Sequence, residues 1–154
     1  YPTSNFGRSM KSIAALIKAQ VGVEAVAIDL GGWDTHANQG AVGGSMATLM
    51  SDLASTLRAF HLDMFAPNAP STITVVHSEF GRRLGENGTT GTDHGHGNCM
   101  LVLGNAVNGG RVLSQWPGLA TQNLFEGRDL AVTIDYRDIL AEIVQKIGDA
   151  ALED

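Results

Sequence analysis

The feature that most constrains this chain is a repeated succession: a run with helical periodicity, then a short β-branched run, then a glycine-rich polar segment. Met10, Ile13, Ala14, Leu16 and Ile17 recur at helical spacing and the pattern closes near Gly22, which predicts a first helix over roughly residues 8–19. VEAVAIDL, residues 23–30, is apolar and short, and Gly31 and Gly32 follow it, so it reads as a buried strand ending in a tight turn. Met46, Leu49, Met50, Leu53, Leu57 and Phe60 share one face of a second, longer helix, with Ser45 expected as its N-cap. Beyond Pro67 and Pro70, STITVVHS is the second β-branched run, and the polar segment 79–98 follows it. CMLVLG is a third apolar run, Asn108-Gly109 between Val107 and Val112 predicts a hairpin or turn, and DLAVTI reads as another short strand. Ile139, Leu140, Ile143, Val144 and Ile147 mark a C-terminal amphipathic helix, which Asp135 and Arg137 are placed to cap. Strands alternating with helices predict a layered α/β fold with a mainly parallel sheet, whose ligands gather at the C-terminal strand ends.

At 154 residues, with 44% hydrophobic and 17% charged residues, the chain is expected to form one α/β domain over residues 1–154. The formal net charge is -6, the pI is near 5.2, and the ten Lys and Arg residues are scattered, which argues against nucleic acid as a partner. A single cysteine, Cys99, excludes an internal disulfide, and its apolar neighbours suggest a buried thiol. No apolar run reaches the roughly 18 residues of a membrane span, and YPTSNFGRSMKS carries no signal-peptide core. The chain does not begin with Met and opens almost directly into a helical pattern, as a processed protein or a piece of a longer one would.

Asp34 and His36 in GGWDTH stand two residues apart after a β-branched run, a spacing that turns a carboxylate and an imidazole to one side of an extended segment. Asp93, His94 and His96 in GTDHGHG offer a carboxylate and two imidazoles on a glycine-softened backbone. Three of the five histidines therefore fall in two motifs, and the five residues are candidate ligands of a divalent metal. An Asp turn bonding its own backbone and a solvated polar loop are the plain alternatives. In HSEFGRR, Glu79 offers a ligand or a general base and Arg82 a fork for an anionic substrate oxygen; an Arg–carboxylate structural pair is the competing reading. His77 reads as a core histidine or one that orients a ligand, and His61 as a surface residue of the second helix. Asn87-Gly88-Thr89 has the form of a glycosylation sequon, a pattern too short to carry weight. Mixed carboxylate and imidazole donors suit zinc or manganese better than magnesium or calcium.

The ordered motifs GGWDTHANQG, SEFGRRLGENG, GTDHGHGNCMLVLG, VNGGRV, WPGL and DLAVTIDYRDILAEI resemble the C-terminal half of the bacterial domain-of-unknown-function family 1501. That family is similar to the alkaline phosphatase and sulfatase superfamily. The resemblance implies a three-layer α/β/α fold with a mainly parallel sheet, here in part, with Asp34 and His36 on one metal and His94 or His96 as a further ligand. SEFGR stands where the superfamily has an Asp-His pair, with Glu79 near it. The resemblance also implies that the nucleophile lies in an N-terminal segment of a parent protein, and that the parent resides in the periplasm or cell envelope. The function so implied is metal-dependent hydrolysis of a small anionic phosphate or sulfate ester. The alternative is a non-catalytic envelope protein with a structural or vestigial metal. Neither substrate nor oligomeric state is read from the sequence.

Overall fold

A computed structural model describes residues 1–151. The chain divides into two compact units. Unit 1 comprises Tyr1–Val76, Gly85–Asp93 and Leu101–Gly109; unit 2 comprises His77–Leu84, His94–Met100 and the chain from Gly110 onward.

Unit 1 is built on two helices, α1 (Asn5–Lys18) and α2 (Ser45–Met64), and a ladder of β1 (Ile73–Val76) with β4 (Leu101–Gly104). The Ser4 hydroxyl accepts from the Gly7 N–H at 3.0 Å and donates to Asp52 at 2.7 Å, so α1 starts earlier than its apolar pattern indicates. Phe6, Met10 and Ala14 recur at a spacing of four and form the buried stripe of α1. Phe60 and Met64, also four apart, supply the buried stripe of α2, and the two stripes form the hydrophobic core. Each large side chain buried this way contributes on the order of 1.5–3 kcal/mol. Outside the core, Asp63 accepts from the Tyr1 hydroxyl at 2.9 Å and from the Lys18 ammonium at 2.6 Å, clasping the chain start and the end of α1 to α2.

In unit 2, β2 (Gly81–Arg82) pairs with β3 (His94–Gly95), a single 3-10 turn spans Thr121–Asn123, and α3 (Tyr136–Ala151) closes the described chain. The Asp135 carboxylate accepts from the Arg137 N–H at 2.9 Å, so the expected cap is present.

The expected three-layer α/β/α architecture with a mainly parallel, alkaline phosphatase-like sheet is not what forms. Among the described residues there are three α-helices and two two-stranded ladders, both antiparallel. β-branched composition makes a strand only where a neighbouring backbone is present to pair. Residues 23–30 join no ladder, and Val23, Val26 and Ile28 are exposed at 38%, 49% and 36%. β1 does find a partner, but residues 77–100 contain no crossover helix, and the chain returns antiparallel, with Ile73 opposite Gly104 and Val76 opposite Leu101.

Smaller expectations also change. DLAVTI forms no strand; its contribution is one bridge, Asp129 to Phe125. The turn that the Val107 N–H closes on the Gly104 carbonyl precedes Asn108-Gly109; the Gly109 N–H donates to the Val107 carbonyl at 2.8 Å, no hairpin forms there, and Val112 is exposed. Ser45 is the first helical residue of α2, and Gly44 occupies the cap position with no side chain to offer. Cys99 is exposed. His77 is exposed and its ring stacks on Tyr136 at 6.2 Å, rather than entering a core. No helix among the described residues is long and apolar enough to cross a membrane.

Candidate metal centre

Within unit 1 the segment 35–39 is laced to the segment 87–92. The Asn38 and Gln39 N–H groups donate to the Thr89 and Thr90 carbonyls, both at 3.0 Å, and the Thr92 N–H donates to the Thr35 carbonyl at 3.4 Å. Gln39 Oε1 accepts from the hydroxyls of Thr35, at 2.9 Å, and Thr92, at 2.8 Å. Thr35 is buried, so its neighbours Asp34 and His36 turn outward together, as alternation along an extended stretch requires. The approach is tight at Gly91, where a Cβ would stand 2.3 Å from the His36 carbonyl oxygen. Asn38 and Thr90 both take left-handed backbone, with φ of 49° and 57°; for a β-branched threonine that conformation is strained.

This lacing places one imidazole between two carboxylates. His36 Nε2 lies 2.9 Å from Asp34 Oδ1, and His36 Nδ1 lies 3.0 Å from Asp93 Oδ1. A neutral imidazole has one N–H and one lone pair. With Nδ1–H directed at Asp93, the Nε2 lone pair and the Asp34 oxygen face each other and offer two donor atoms to one cation. The donor set fits a metal. Tetrahedral zinc with bonds of about 2.0–2.2 Å holds its ligand atoms about 3.4 Å apart, so Asp34 and His36 would open by about half an ångström. Asp93 faces the far ring nitrogen, where a carboxylate fixes the tautomer and the ring direction.

Unit 2 holds the other sequence candidates. Arg82 on β2 stands opposite His94 on β3, and Phe80 collects both: its ring stacks on the His94 ring at 4.1 Å and the Arg82 guanidinium carbon lies 4.9 Å from its centroid. His96 lies flat on Phe125, centroids 3.8 Å apart, and Glu79 is exposed. The structure thus brings Asp34, His36 and Asp93 together in unit 1, and Arg82 and His94 together around Phe80 in unit 2.

Three contributors escaped the sequence reading. Gln39 and Phe80 left no signal in composition or spacing. Asn87 did, because an Asn-Gly step followed by threonines favours side chain-to-backbone turns. Its amide nitrogen donates to the His36 carbonyl at 2.9 Å and to Asp93 Oδ1 at 3.0 Å.

Compared with known proteins, residues 2–146 match the family model described as "Protein of unknown function (DUF1501)". No curated protein and no solved structure matches the chain.

Proposed function

Since the chain belongs to the DUF1501 family, we propose that it carries a divalent-metal centre on Asp34 and His36, oriented by Asp93, and serves metal-dependent hydrolysis of phosphate or sulfate esters. The observation that carries the metal reading is the 2.9 Å approach of Asp34 Oδ1 to His36 Nε2 while Nδ1 is engaged by Asp93, a geometry that offers two donor atoms to one cation. When bound, zinc or manganese would polarise the ester oxygen and lower the pKa of a coordinated water or hydroxyl. Asp34 and His36 hold the ion, and Asp93 keeps the Nε2 lone pair aimed. Arg82 is nominated to pair with an anionic ester oxygen, Glu79 to serve as ligand or base, and His94 and His96 as further imidazole donors. The periplasm or cell envelope is the location we propose, from the family likeness.

One observation favours a second reading, a non-catalytic protein that keeps the metal. The side chains of Asp34, His36 and Asp93 are 63%, 46% and 40% exposed, whereas catalytic centres exclude water.

Elemental analysis of protein purified without a polyhistidine tag, together with zinc and manganese titration, tests the centre. Wild type is expected to take up about one equivalent, and Asp34→Asn and His36→Ala to lose it. Uptake below about a tenth of an equivalent by wild type would end the metal reading. Aryl phosphate and aryl sulfate turnover by the loaded protein, lost in His36→Ala, supports hydrolysis; metal uptake without turnover leaves the non-catalytic reading standing.

A further inference from the structure

We propose that Asn87 is the positioning residue of this centre, an inference that rests on the metal reading for its effect on affinity but not for the network it describes. A primary amide has two N–H donors and one carbonyl acceptor. In Asn87 all of these are engaged. Nδ2 donates to the His36 carbonyl and to Asp93 Oδ1, and Oδ1 accepts from the Thr89 N–H at 3.0 Å and the Gly91 N–H at 3.1 Å, while the Thr89 hydroxyl, 2.9 Å from Oδ1, is nearer the His36 carbonyl at 2.7 Å and donates its one proton there. The backbone joins in, with the Asn87 N–H on the Gly91 carbonyl at 2.8 Å.

The acceptor side closes the turn 87–91, and the donor side reaches out of it to two points. One is the backbone of His36. The other is Asp93 Oδ1, the same oxygen that receives His36 Nδ1. The amide thus sets the carboxylate rotamer and, with the Thr89 hydroxyl that donates to the same His36 carbonyl, the origin of the imidazole, and with them the direction of the Nε2 lone pair. Groups that orient a ligating histidine in this way change metal affinity by about 10–100-fold when removed. The sequon reading loses ground for the same reason, because a glycan on Nδ2 would take one of the two engaged N–H groups.

Two variants separate positioning from folding. In Asn87→Ser the hydroxyl retains a turn acceptor but cannot span to His36 and Asp93. Zinc affinity by chelator competition is expected to fall about 10–100-fold, while the metal-free melting temperature changes little. Wild-type zinc affinity in Asn87→Ser overturns the positioning role. In Asn87→Ala the Thr89 and Gly91 amides lose their acceptor, and their hydrogen exchange, read by NMR in the metal-free protein, is expected to accelerate. If wild type itself takes up no zinc, the metal reading has failed, and the exchange measurement then decides for Asn87. Faster exchange sustains the network, and unchanged exchange overturns it.

Discussion

At Gly91 a Cβ would lie 2.3 Å from the His36 carbonyl oxygen and 2.5 Å from that of Thr35, both of them backbone atoms that cannot swing away. Gly91→Ala therefore pushes the turn off the His36 segment. The expected loss is about 1–3 kcal/mol by urea unfolding, accompanied by weaker zinc binding; an unchanged unfolding midpoint would show that the two segments are not held as closely as described. Much of this side-chain arrangement was legible residue by residue. Asp34 and His36 were readable because a spacing of two fixes relative direction without any knowledge of the fold. Asp93 was readable as a candidate donor, but its approach to His36 Nδ1 was not, since that depends on where the imidazole lies. Asn87 stood outside the candidate list, because its function is to connect residues 51 and 6 positions away in the chain. No local pattern encodes that connection.

Among the elements, the helices were the readable part. α1 and α2 announce themselves by apolar spacing, and the same stripes become the core, so Phe60→Ala is expected to cost about 3–5 kcal/mol, measured as a fall in melting temperature. Strands were misread because a ladder is a property of two segments. Residues 23–30 have the composition of a strand and no neighbour, whereas residues 101–104 became one by meeting β1. The start of α3 yields a prediction in pH. Side-chain hydrogen bonds from Arg137, reinforced by the Arg137 backbone N–H, hold the Asp135 carboxyl at about 2 against an ordinary 3.8. A carboxyl depressed on folding stabilises the folded form above its unfolded value, and that contribution is lost as pH falls through the folded one. Helicity of α3 is therefore expected to fade between about pH 4 and pH 2. Asp135→Asn should show a flatter far-UV dichroism profile over that window, and superimposable profiles would refute the cap's role. Asp63 shifts the same way, lowered first by the Lys18 hydrogen bond and then by that of Tyr1, so acid also loosens the clasp on α2.

For the molecule as a whole, the notable quantity is apolar surface left outside the core. Among the described residues five hydrophobic side chains are buried, while Leu113, Trp116, Val144 and Ile147 are among many that stand at half exposure or more. Exposed apolar side chains bind hydrophobic dyes, and the native protein at neutral pH is expected to enhance ANS fluorescence, with the signal falling in urea; a native state silent to the dye would contradict the exposures given above. Residues 23–30 have a further consequence, which a protease would reveal. They join no ladder, present Ala25, Val26 and Ala27 to solvent, and lie in the connection from α1 to α2 together with Val42, exposed at 95%. Such stretches are where chains are nicked. Brief digestion with an elastase-type enzyme is expected to cut first between Val21 and Val42, severing α1 from α2 covalently while Phe6, Met10 and Ala14 remain locked against Phe60 and Met64. The nicked protein would then run as two bands on a denaturing gel and elute as one peak from a sizing column, a molecule in two pieces held together by its core and the polar clasp on Asp63.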